Sequence, residues 1–184
     1  EMSRAVFNIL DGTDDVRLSR NLNIAESTID PTYETNDNYL NDDMLLVFKY
    51  PGGTQPLLND LKVFRASEML LIRAEAAADA GDLPGAAILL NQLRDARYGS
   101  AQSEYSFNTQ EEAFKGVLDE RRLELLFEGH RWVDLKRLGS RAELEEGKID
   151  RDAKECENLA DCTLPKTDYR FTLPIPLSET TANS

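Results

Sequence analysis

The sequence predicts a mainly α fold: helical hairpins carrying long, irregular, loop-rich inserts, with little β structure. Three observations carry that expectation. Residues 64–98 are dominated by Ala, Leu, Ile, Arg and Glu, which are strong helix formers, and contain one clear turn signal at Gly81-Asp82-Leu83. Thr109-x-x-Glu112 is a capping box that opens a second helical string, ending at Gly139. Between Asp11 and residue 62, by contrast, Asn, Asp, Thr, Pro and Gly recur and helical periodicity is lost.

Composition sets the outer bounds. With 184 residues, 41% of them hydrophobic, the chain is long and apolar enough for one core, so residues 1–184 are read as a single domain. Asp and Glu number 34 against 21 Lys and Arg, a net charge of −13. No basic run exists to displace counterions, which argues against nucleic acid as a partner, and the same charge disfavours anionic membranes. No apolar run approaches the roughly 20 residues that span a bilayer, and the N-terminus has neither a basic nor an apolar leader region. With Met2 preceded by Glu1, the expectation is a piece of a longer protein.

Taken in order, residues 1–10 close a helix stopped by Asp11-Gly12. Residues 11–62 form a loop-rich insert whose one strand candidate is Met44 to Tyr50, halted by Pro51-Gly52-Gly53. Residues 64–98 form a helical hairpin, with Pro84 at a favoured first-turn position of its second helix. The apolar residues of the first helix spread around its whole circumference, which implies burial on most sides; Ala86, Leu90 and Leu93 share one stripe on the second. Gly81-Asp82-x-x-x-Ala86, with Ala74, Leu90 and Leu93, resembles a tetratricopeptide hairpin, and one such repeat cannot bury itself.

The second helical unit, 109–139, is interrupted at Gly129 and mixes charges with Leu118, Leu123, Leu125, Leu126, Phe127, Trp132 and Leu135 on every side. Several charges must therefore be buried and paired, arginine with carboxylate, and Arg121, Arg122 and Arg131 are expected to be structural pair-formers. His130 is expected to be a structural hydrogen-bonding residue at the helix junction. Residues 140–168 read as charged loop, and 169–184 as an extended tail held by Pro174 and Pro176. Cys156 and Cys162, in a charged, Pro-flanked stretch, favour a local disulfide and an oxidising compartment, with two free thiols as the alternative.

Chemistry-bearing motifs are sparse. Glu120, Glu124, His130 and Asp134 share an arc only if the helix is continuous, and opposing arginines give those carboxylates a simpler role than metal binding. No nucleophile elbow, phosphate loop or dinucleotide fingerprint is present, so no catalytic residue, cofactor or metal is assigned. The run Asn36, Asp37, Asn38, Asn41, Asp42, Asp43 lacks the glycine and terminal glutamate of a calcium loop and reads as solvated. Phe114, Phe127, Trp132 and Phe171 sit in apolar strings and are expected in the core. Tyr33, Tyr39, Tyr98 and Tyr105 lie in or beside loops, where an aromatic face next to amides and carboxylates suits a sugar ring; tyrosine lids over a small core are the alternative.

Three strings, RASEMLLIRAEAAADAGDLPGAAILLNQLR at 65–94, LDERRLELLFEGHRWVDLKRLG at 118–139 and LPIPLSETTAN at 173–183, together resemble the C-terminal portion of the SusD/RagB family of nutrient-binding outer-membrane lipoproteins. That resemblance implies surface binding of a glycan or oligosaccharide, no chemistry, and delivery to a TonB-dependent outer-membrane transporter. It also implies a cell outer-membrane location, with membrane contact only through a lipid anchor that neither Cys156 nor Cys162 is placed to carry. The ligand-binding residues expected on this reading are Tyr33, Tyr39, Tyr50 and Tyr98. A tetratricopeptide-like scaffold that binds only proteins, and a glycoside hydrolase, stand as the alternatives.

Overall fold

The computed structural model describes residues 2–50, 59, 63–144, 154–156, 163–165 and 167–172. Seven α-helices occur among them: α1 (Arg4–Leu10), α2 (Val16–Asn21), α3 (Tyr39–Asp42), α4 (Ala66–Asp79), α5 (Leu83–Asp95), α6 (Gln110–Glu124) and α7 (His130–Leu138). The mainly α expectation holds. Among the described residues no helix is long and apolar enough to cross a membrane.

The hairpin α4–α5 turns where its local chemistry requires. Gly81 takes φ +76°, a left-handed conformation that glycine enters without steric cost, and the Asp82 side chain accepts the Gly85 N–H at 2.9 Å to cap α5. Helix α6 begins as its capping box dictates, with Thr109 accepting the Glu112 N–H at 3.2 Å; the Glu112 carboxylate reaches back to the N–H of Asn108 at 2.6 Å, one residue further than the standard box. Leu71, Ala74 and Ala78 of α4, Ala86, Leu90 and Leu93 of α5, and Phe114, Val117 and Leu118 of α6 then close one core. The alanines on α4 let the helices approach closely.

A second core forms around Val6, Phe7 and Leu10 of α1, with Leu22, Leu45 and Leu123. Helix α6 thus feeds both cores, Phe114 to Leu118 into one and Leu123 into the other. The chain leaves α6 through a break at Leu125–Gly129, where Gly129 takes φ +79° and Phe127 φ 63° before α7 starts. Trp132 of α7 stacks on Phe171 at 4.4 Å between ring centroids, which fixes the later chain against this unit.

Four expectations need correction. Met44 to Tyr50 is not a strand: it makes only isolated bridges, Thr28 with Met44 and Leu22 with Val47, because the opposing segment turns at residues 24–26 between them. The insert is not uniformly loop, since α2 forms from the polar string VRLSRN, capped by Asp15 and held by ion pairs rather than an apolar stripe. Tyr169–Phe171 is a 3₁₀ turn, not extended chain, because Asp168 caps it through the Arg170 N–H and the proline restriction begins only at Pro174. The His130 side chain makes no hydrogen bond among the described residues. The junction is held instead by Lys49, whose ammonium donates to the carbonyls of Glu124 and Leu126 at 3.2 and 2.7 Å, satisfying orphan acceptors at the negative end of α6. The tail 173–184, the stop at Pro51-Gly52-Gly53 and Cys162 lie outside the described residues. Cys156 is disulfide-bonded, and Cys162 is the chain's one other cysteine.

Candidate functional site

Glu120 and Glu124 stand four residues apart on α6 and so project from one face. Both are buried, at 2% and 3% exposure, and a buried carboxylate persists only if it is paired. Four arginines from three other segments supply the partners. Arg17 of α2 donates to Asp15 through Nη2 at 2.7 Å and to Glu120 through Nη1 at 2.9 Å, and Arg94 lies 3.6 Å from Glu120. Arg97 grips Glu124 with two hydrogen bonds at 2.9 and 2.7 Å, the bidentate geometry expected of a planar guanidinium. Arg65 pairs with Glu128 and lies 3.8 Å from Glu124, while Lys49 pairs with Glu128 at 2.6 Å.

The protonation states follow from these contacts. Burial pushes the Glu124 carboxyl up, but hydrogen bonds from Arg97 and Ser67 and the charges of Arg97 and Arg17 outweigh it and hold the group down at about 2. Burial pulls the Arg17 guanidinium down, yet Asp15 and Glu120 raise it well above the ordinary arginine range. Lys49 falls below its ordinary value because desolvation exceeds the attraction of Glu128. Glu124 is therefore a carboxylate near neutrality.

This network floors a cleft of about 490 Å³. Its lining includes Arg17, Arg20, Lys49, Arg65 and Arg97, one carboxylate in Glu124, and the ring of Phe48. Phe48 is 43% exposed. Arg20 is exposed and has no ion-pair partner among the described residues. No sequence motif announced this site, since its residues are scattered from 16 to 124. The signal that was legible was the need for buried arginine–carboxylate pairing around the second helical unit.

The four tyrosines named from the sequence fall into two places. Tyr33 and Tyr39 are buried, at 2% and 5% exposure, and pack edge to face at 5.6 Å. Their expected open faces are absent because the guanidinium of Arg4 covers Tyr33 at 4.8 Å and the Lys154 ammonium lies 5.5 Å from the Tyr39 ring centre. Both line a smaller pocket of about 250 Å³ with Arg4, Asp43 and Glu155. Tyr50 and Tyr98 are not among the residues that line the larger cleft: Tyr98 lies under Arg17 at 5.8 Å, and Tyr50, 42% exposed, follows Lys49 in sequence. Burial raises the phenol of Tyr50, with Glu128 adding to the shift and Arg65 opposing it. Tyr105 stacks on Phe107 and its phenol rises by burial beside Glu120.

The other motif residues have structural partners. Arg121 is 5% exposed and donates to Asp134 at 2.8 Å, and Arg137 bonds the second oxygen of the same carboxylate at 2.9 and 3.1 Å. Arg131 donates to the Leu118 carbonyl at 3.3 Å. In the Asn/Asp run, Asp43 pairs with Arg4 at 2.6 Å, and the Asn36 amide bridges Asp30 and Asp42 at 2.8 and 3.0 Å. This run is therefore an internally bonded turn, and Asp43 is buried rather than solvated.

A family model described as the SusD family matches residues 19–184. Over 111 residues the chain is 38% identical to the SusD-like protein P38 of Formosa agariphila, a match covering 56% of this chain and 22% of that protein. The chain thus spans under a quarter of the length of that relative. No solved structure matches the chain. With the family model covering nearly all of the sequence, the chain belongs to the SusD family.

Proposed function

We propose that this chain takes part in surface capture of a nutrient, a glycan or oligosaccharide, for delivery to a TonB-dependent outer-membrane transporter, and that it performs no chemistry on its ligand. Membership of the SusD family is the observation that carries this reading. The cleft supports it: a volume of about 490 Å³ lies within the range of small-ligand sites, and Phe48 beside many N–H donors suits a sugar with an apolar C–H face and polar hydroxyls. On this reading Tyr50 and Tyr98 contact the ligand from outside the cleft lining, and Tyr33 and Tyr39 reach a ligand only through their own smaller pocket. An outer-membrane location through a lipid anchor belongs to the same proposal.

The hydrolase alternative loses support from electrostatics. A glycosidase needs a carboxylic acid held protonated near neutrality, whereas the one carboxylate lining the cleft is held down at about 2. The protein-scaffold reading keeps one specific support, the outer face of α4, where Met69 and Ile72 are 43% and 47% exposed. A glycan array run with a product assay tests the proposal. Binding without turnover is the expected result; turnover transfers the assignment to a hydrolase, and failure to bind any sugar transfers it to the scaffold.

A further inference from the structure

We infer that the cleft bounded by α2, Phe48, Lys49, Arg65, Arg97 and the end of α6 is a site for acidic sugars, units that carry a carboxylate or a sulfate ester. This inference rests on the glycan-capture reading and names its substrate class. The chain as a whole carries a net charge of −13, yet five cations and a single carboxylate line this cleft. Apart from Glu124, the carboxylates that answer those cations lie outside the lining. Asp15, Glu120 and Glu128 have side chains 0%, 3% and 12% exposed and are not part of the lining, whereas Arg65 and Arg97 remain 21% and 26% exposed. Arg17 and Lys49 are 5% and 11% exposed, so a ligand in the cleft meets the guanidinium groups of Arg20, Arg65 and Arg97.

Arg20 decides the case between a structural ion network and a binding site. The other four cations hold the fold together, but Arg20 is exposed on the rim and has no partner among the described residues. Its planar guanidinium offers N–H donors in a fork that matches a carboxylate or sulfate edge, and using it breaks no existing contact. Phe48, on the same lining, supplies the apolar surface against which the ring of the sugar lies. A neutral sugar uses the ring contact alone, and an acidic one uses both.

Calorimetry on the protein with trigalacturonate, a sulfated galactose trisaccharide and neutral galactotriose tests the assignment. At least one acidic ligand is expected to bind tenfold or more tightly than galactotriose, and comparison of the two acidic ligands identifies the preferred group. Arg20→Ala is expected to weaken acidic-ligand binding about tenfold, the size of one charge-assisted hydrogen bond, and to leave the neutral ligand within about twofold. Arg20→Glu abolishes acidic-ligand binding. Neither change removes a contact within the fold, and Lys136→Ala on the exposed side of α7 serves as a charge-matched control with unchanged affinity. Equal affinity for galactotriose and both acidic ligands overturns the inference while leaving glycan capture intact. Acidic-ligand binding indifferent to Arg20→Glu overturns the placement, and absence of binding to both acidic ligands overturns the inference, whereas the glycan array decides the capture reading.

Discussion

Replacing Glu124 by glutamine removes one negative charge from among three guanidinium groups while keeping the shape of the side chain. In the native protein Arg97 holds this carboxylate with two hydrogen bonds, and Arg17 and Arg65 lie 3.9 and 3.8 Å away. Arg17 keeps Asp15 and Glu120 after the change, and Arg65 keeps Glu128, but Arg97 loses its bidentate partner. Leaving one member of a fully buried pair uncompensated costs about 3–5 kcal/mol, and because Arg97 stays 26% exposed the cost here lies at the lower end, about 3 kcal/mol. For a chain of this length that corresponds to a fall in melting temperature of roughly 8 °C, read by circular dichroism at pH 7. The pH dependence supplies an independent check on the same group. Its carboxyl is lowered from 4.5 to about 2 on folding, so its stabilisation is complete above pH 4.5 and is lost as the pH falls through that window toward 2. That loss amounts to roughly 3 kcal/mol, in line with the mutational figure. The Glu124→Gln protein lacks the group and is expected to show a correspondingly shallower decline between pH 4.5 and 2. A glutamine variant that melts within 1 °C of the parent, or that keeps the parent's full acid-side loss, refutes the claim that this carboxylate anchors the network.

Three further outcomes are expected. Arg121→Ala costs on the order of 3 kcal/mol in urea unfolding, because Asp134 is left with Arg137 alone; a loss under about 0.5 kcal/mol refutes the pairing. Gly129→Ala costs about 1 kcal/mol through its left-handed backbone, with Gly129→Asn costing less, and equal stability of all three proteins shows that the α6–α7 junction relaxes freely. Reduction of the disulfide at Cys156 lowers stability by about 2 kcal/mol in the chain-entropy model of a short loop, and identical unfolding curves with and without reductant refute it.

The helices α4 to α7 were legible because their determinants are local. Gly81 and Asp82 set a turn, Thr109 caps the helix that follows it, and Gly129 admits a backbone that other residues resist; each acts over a few residues and can be read from the order of the chain. Helix α2 was not legible, since VRLSRN has no apolar stripe and its support comes from Glu120, more than a hundred residues away. The strand expectation at Met44 to Tyr50 failed for the same kind of reason, because a strand exists only with a continuous partner and that partner turns away at residues 24–26.

Buried pairing of arginine with carboxylate was predictable in kind from α6, where apolar residues surround the charges and an unpaired buried charge is prohibitive. Which arginines answer which carboxylates was not, and the strongest pairs with Glu120 and Glu124 use Arg17 and Arg97 rather than the arginines of the motif itself. The tyrosines show the limit most clearly. Sequence placed Tyr33 and Tyr39 in a polar loop, and only the packing of Arg4 and Lys154 over their rings decided that they are enclosed. Helices α4 to α7, their caps and the family were determined by the sequence alone because they depend on neighbours along the chain. The cleft and the sign of its lining were decided by tertiary structure, because electrostatic fields and burial depend on distances in space that bring residues 17, 20, 49, 65, 97 and 124 together.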